Sequence, residues 1–110
     1  MSRRSKTSDS TLTTVVSRLI EAYRPERVYL FGSAARGDAG PDSDYDLLLV
    51  MPDNSPDELL NAGRAHEVLW GIKAATDVLI WPHSKFESRL HLRASLPSVV
   101  TREGKLLYAA

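Results

Sequence analysis

The sequence predicts an α/β fold, a small mixed β-sheet packed with helices. Three observations lead there. One long amphipathic stripe opens the chain, three separate apolar β-branched runs follow it, and helix-start signals fall between and after those runs. A length of 110 residues fits a single domain, because two hydrophobic cores could not both be filled at that size.

Residues 1–8 are polar and basic without periodicity and are expected to form a disordered arm, with a folded domain spanning 9–110. Arg3, Arg4 and Lys6 read as a solvated tail that could also grip an acidic partner or RNA. Leu12, Val15, Val16, Leu19, Ile20 and Tyr23 recur at the spacing of one helical face, and Pro25 ends that helix. Val28 to Phe31 is a short apolar run that stops at Gly32-Ser33 and suits a buried strand. Ala34-Ala35-Arg36 then reads as a short helical turn, and Gly37, Gly40 and Pro41 mark a loop.

Asp44 to Val50 is the strongest strand candidate and belongs near the centre of the sheet. After it, Ser55 is placed to cap a helix with Pro56 at its first position and Glu58 three residues past the cap. That helix is expected to run to Trp70 and end at Gly71. Asp77 to Trp81 forms a third strand, closed by Pro82. The stretch from Ser84 to Arg102 reads as one or two helices around Pro97, and Lys105 to Tyr108 as an edge strand.

Fourteen acidic and fourteen basic side chains balance, so no global field draws the chain to nucleic acid or to an anionic membrane. Cysteine is absent, which excludes disulfides, thiolate metal sites and cysteine nucleophiles. No apolar stretch has the length of a membrane span and no signal-peptide core follows the basic N-terminus, so the expected location is the cytoplasm.

The chemistry concentrates in a few residues. Asp44 and Asp46 stand two apart at the head of a strand, so their side chains leave the same face about 6.5 to 7 Å apart at the backbone. Mg²⁺ binds oxygen, usually through one or two carboxylates plus substrate phosphates. Asp77 opens another apolar strand and joins the pair if the two strands are neighbours. Without a cation, two such carboxylates at 4 Å would repel by about 4 kcal/mol at an effective dielectric of 20. Upstream, Gly32 lets a bulky anion approach the backbone, and the Ser33 hydroxyl and the N–H groups of the following turn can meet phosphate oxygens.

Gly32-Ser33, ten intervening residues, Asp44-Tyr45-Asp46 and a later strand-opening aspartate resemble the signature of the DNA polymerase β nucleotidyltransferase superfamily. Within it, Gly32 to Asp38 and Asp42 to Leu48 are similar to the minimal nucleotidyltransferases, MntA-like antitoxins commonly paired with HEPN-domain toxins. The resemblance implies a polymerase-β-like nucleotidyltransferase fold and an Mg²⁺-dependent transfer of AMP from ATP, with two ions. It implies Asp44, Asp46 and Asp77 as metal ligands, Asp77 also as a possible base for the incoming hydroxyl, and Gly32 and Ser33 as the grip on the β and γ phosphates. Arg36 reads equally as a phosphate contact and as a structural ion pair. Larger members carry further domains that bind the acceptor. The expected acceptor is therefore a hydroxyl brought by another molecule, a tyrosine of a HEPN-type ribonuclease toxin in a hetero-oligomer.

Competing readings are weaker on the residues. An EF-hand beginning at Asp42 would need glycine where Leu47 stands and glutamate where Asp53 stands. Gly32 is not followed by a P-loop ending. His66, His83 and His91 lack metal spacing and read as surface or packing residues, and Trp70 and Trp81 read as core or partner-contact residues rather than a base-stacking platform. Two other functions stay open: a non-catalytic module that neutralises a partner by occlusion, and adenylylation of a small molecule such as an aminoglycoside.

Overall fold

The computed structural model describes residues 3–32, 35, 45–72 and 75–110. Strands β1 (Arg27–Phe31), β2 (Tyr45–Met51), β3 (Thr76–Pro82) and β4 (Lys105–Ala109) form one sheet in the order β3-β2-β1-β4. β1 pairs antiparallel with β2 and with β4, while β2 and β3 are parallel, so the sheet is mixed as expected. β2 has a partner on each side. Its residues Leu47 to Val50 have no exposure at all, which explains why this run is apolar without alternation.

Helix α1 (Arg3–Tyr23) lies on one face. The six residues of its apolar stripe all pack there, with Val15, Val16, Leu19 and Tyr23 buried against Val28, Leu30, Leu47, Leu49 and Met51. The helix stops where Arg24 adopts φ 55° and its N–H bonds the Ile20 carbonyl at 2.8 Å, directly before Pro25. Its start departs from the sequence reading. Residues 3–8, expected as a disordered arm, are helical from Arg3 onward. Helix elongation costs little once a nucleus is packed, and residues 3–9 contain no glycine or proline to stop it.

A second correction concerns residues 56–70. The expected continuous helix is broken into two 3₁₀ turns, Asp57–Leu59 and Ala62–Arg64, and one α turn, α2 (Ala65–Val68). Pro56 is extended, with ψ 149°, so it precedes the first turn instead of opening a helix. Asn61 is extended too, and its side chain accepts the Gly63 N–H at 2.9 Å. That local bond competes with a helical ladder and interrupts it. The fragments still deliver Leu59, Leu60, Ala62, Val68 and Leu69 to the α1 side of the core.

The opposite face carries α3 (His83–Ser88) and α4 (Leu96–Glu103). Phe86 and Val100 are buried against Tyr29, Leu48 and Val50, and the Tyr29 and Phe86 rings stack at 5.8 Å. Pro97 does not separate two helices but sits in the first turn of α4, behind Ser95, whose hydroxyl accepts the Ser98 N–H. Gly104 then lets α4 turn into β4 at close quarters. A Cβ there would stand 2.6 Å from the carbonyl oxygens of both Leu30 and Val100.

Among the described residues no helix is long and apolar enough to cross a membrane. Because Leu49 is fully buried in the strand that both cores share, Leu49→Ala is expected to cost about 2 to 5 kcal/mol. Urea unfolding should show a lower midpoint with an unchanged slope.

Candidate active site

The candidate site lies where β1 ends and where β2 and β3 begin. Leu47, Leu49 and Met51 point toward α1, and Leu48 and Val50 toward α3 and α4. By the two-residue alternation of a strand, Asp46 shares the face of Leu48 and Val50. The β2–β3 register sets Asp46 directly opposite Asp77, and the β1–β2 register sets it opposite Phe31. Neighbouring strands run about 4.8 Å apart, so Asp46 and Asp77 form a carboxylate pair on one face of the sheet. Asp46 is half-buried and Asp77 exposed. The expected adjacency of the two strands is therefore what the fold provides, and it comes from parallel pairing across a crossover of two dozen residues.

Gly32 adjoins the pair. Its φ of 76° is a conformation that side chains rarely adopt, and an added Cβ would overlap the Asp46 carboxylate, reaching 3.3 Å from its Cγ. The backbone at Gly32 and the carboxylate of Asp46 are thus in close approach, which only a residue without a side chain allows. Ala35 is a buried helical residue whose N–H bonds the Gly32 carbonyl at 3.2 Å. Ser33, Arg36 and Asp44 lie outside the described residues.

A side-by-side pair of carboxylates is a donor set that suits Mg²⁺, which takes one or two carboxylates and fills its remaining positions with phosphate and water. Among the described residues no group of three or more acidic or histidine side chains gathers into a metal site. The described part of the site thus fits a cation shared with a phosphate-bearing substrate.

The histidines stand apart from this arrangement. His83 pairs with Glu26 across 2.6 Å, and His66 and His91 are exposed. Trp81 is half-buried against the second core, with the Lys85 ammonium 5.1 Å from its ring centre. Trp70 is not a core residue, being 82% exposed. It borders a cavity of about 770 Å³ beside the start of β3, a feature the sequence did not announce because it depends on how the broken helix meets the sheet edge.

The family model for the nucleotidyltransferase domain matches residues 12–106. No curated protein matches the chain. Among solved structures, a candidate nucleotidyltransferase from Sulfolobus solfataricus is similar with a TM-score of 0.59 at 19% identity, over 91% of this chain and 78% of that one. The toxin–antitoxin complex MntA-HpeT, in a variant with two aspartates changed to glutamate, has a TM-score of 0.54 at 18% identity, over 86% and 71%. A toxin–antitoxin structure with AMP-PNP has a TM-score of 0.50 at 21% identity, over 87% and 72%. These structures share the mixed sheet and its helices, and the family model covers β1, β2 and β3 of this chain and reaches the start of β4. The chain belongs to the nucleotidyltransferase domain family and resembles its MNT-type members.

Proposed function

We propose that the chain transfers AMP from ATP to a hydroxyl of a partner protein, in the first place a tyrosine of a HEPN-type toxin, and so acts as an antitoxin. The observation that carries this reading is the in-register pair Asp46 and Asp77 with Gly32 packed against it. Two similar structures are toxin–antitoxin assemblies, one of them with AMP-PNP, and the other alters two aspartates spaced as Asp44 and Asp46 are here.

Each residue has a definite task in this reading. Gly32 exposes backbone to the β and γ phosphates, with the Ser33 hydroxyl beside it in sequence and Arg36 available to the same anions. Asp46 and Asp77, with Asp44 two positions before Asp46, hold Mg²⁺, which when bound neutralises charge on the α phosphate and the leaving pyrophosphate. Asp77, more exposed than Asp46, accepts the proton of the incoming hydroxyl. The hydroxyl oxygen bonds the α phosphorus as the bridge to the β phosphate breaks, and pyrophosphate leaves with that electron pair.

Mg²⁺ and ATP together should raise the melting temperature, since a ligand at 100 times its dissociation constant adds about 2.7 kcal/mol to the state that binds it. EDTA should remove the shift. Asp46→Asn and Asp77→Asn should each retain the fold and lower transfer by at least about a hundredfold, the equivalent of roughly 2.7 kcal/mol of barrier. Transfer at the wild-type rate by the double variant would remove these residues from the mechanism.

Gly32→Ala should destabilise the protein by about 1 to 2 kcal/mol for its backbone conformation alone, and it should also push Asp46 aside and abolish the Mg-ATP shift. Chemical denaturation measures the first effect and calorimetry the second. For the partner, intact mass after incubation with Mg-ATP should rise by AMP units, with substoichiometric amounts of this chain sufficient. Inhibition that needs equal stoichiometry, adds no mass and ignores both aspartate substitutions would establish occlusion instead.

A further inference from the structure

The sheet has two outer strands, and the sequence treats their edges differently. β4 is short, opens on the exposed Lys105, and slips its register against β1 between Val28 and Tyr29. Shortness, lysine and an irregular ladder are the usual protections of an edge against a foreign strand. β3 has none of them from Asp77 to Trp81. Its register with β2 is unbroken, it carries no lysine, and proline comes only at its last position, Pro82. Among the described residues no strand pairs with the outer side of this stretch.

The side chains along that edge alternate. Val78 and Ile80 turn to the core beneath α1, so Asp77, Leu79 and Trp81 share the opposite face with Asp46. Trp81 is half-buried in the second core with the Lys85 ammonium over its ring. Leu79 is 36% exposed, although Leu48, its partner on β2, has no exposure. An exposed apolar side chain thus follows Asp77 on the carboxylate face, at the rim of an unprotected edge.

We propose that the outer edge of β3 docks the acceptor, an extended segment of partner protein that adds as a strand and presents a tyrosine opposite Asp77. The inference rests on the transfer reading above. Backbone pairing is the chemistry an open edge offers, and directly opposed residues of neighbouring strands place their side chains on the same face about 4.8 Å apart. The residue opposite Asp77 therefore stands on the carboxylate face, and one two positions away meets Leu79. In-line displacement puts the entering oxygen opposite the leaving pyrophosphate. With the β and γ phosphates at Gly32 and the α phosphate at Asp46 and Asp77, the entering group arrives across that face from beyond β3. Tyrosine suits the position because a phenol outreaches an aspartate side chain. Its oxygen stands at the height of a phosphate carried above the carboxylates, where a serine hydroxyl falls short. The phenolic oxygen bonds the α phosphorus, its proton passes to Asp77, and pyrophosphate leaves with the electrons of the broken bridge.

The probe is an extended peptide with one central tyrosine, valine two positions to either side and lysine at both ends. Alternate amides of a strand point to opposite edges, so N-methylation of one alternate set should lower AMP transfer at least about tenfold, while methylation of the other set should not. With Mg²⁺ and an ATP analogue whose α–β bridge cannot be cleaved, the peptide should slow hydrogen exchange of β3 amides and leave β4 unchanged. Leu79→Lys should raise the peptide KM about tenfold, or roughly 1.4 kcal/mol, without changing the Mg-ATP thermal shift, and Leu79→Val should restore most of the loss. Two methylated series that serve equally well, or slowing at β4 instead of β3, would overturn the proposal. So would β3 exchange that is already slow without peptide and slows further as protein concentration rises, which would assign the edge to a second copy of this chain. No slowing of β3 and no transfer to the peptide, in a chain that still adds AMP to its partner, would overturn the proposal alone. A chain that binds no Mg-ATP would overturn it together with the transfer reading.

Discussion

The in-register parallel pairing of β2 with β3 is the constraint on which the site depends. It sets Asp46 beside Asp77 on one face of the sheet, about one strand spacing apart. Two like charges so close gain nothing from each other, and the apolar strands behind them supply the energy that keeps them there. Leu47 to Val50 have no exposure and Val78 is buried, so sliding β3 by one residue would turn Val78 out of the core and Asp77 into it. The hydrophobic effect thus fixes the register, and the register fixes the carboxylates.

Close approach sets the remaining geometry on the β1 side. Gly32 ends β1 in a positive-φ conformation with its α carbon against the Asp46 carboxylate, so backbone and acid share a space that any side chain would fill. In the proposed transfer reading, an anion at Gly32 would meet backbone and a carboxylate-held cation together, which is what a triphosphate requires. The two cores on either face of the sheet reinforce this rigidity. α1 clamps one side through its full apolar stripe, while Phe86 and Val100 close the other.

The crossover between β2 and β3 serves the opposite purpose. Parallel strands need a long connection, and here it is a chain of short helical turns that packs on α1 but leaves Trp70 in solvent. Arg18 ties the end of α2 to α1, so the exposed ring stands on a fixed base. Rigid carboxylates on one side of β3 and a tethered aromatic on the other give that edge both of its faces.

The sequence by itself determined the local elements. The α1 stripe, the four strands, the glycine at the end of β1 and the spacing of Asp44 and Asp46 could all be read directly, because side-chain periodicity and turn chemistry are properties of neighbouring residues. Reading failed where local signals competed. Ser55-Pro56 and Glu58 resemble a helix start, but the Asn61 side-chain bond to Gly63 won, and a segment this short has little helical stability of its own. The absence of apolar residues near Arg3 suggested a loose arm, although α1 extends there from its packed centre. Only the tertiary structure decided that β3 lies parallel to β2 with Asp77 against Asp46, and that Trp70 faces water beside a cavity. Strand order and register depend on contacts between residues some thirty positions apart in the chain, and no local pattern encodes which apolar run will be the neighbour of another.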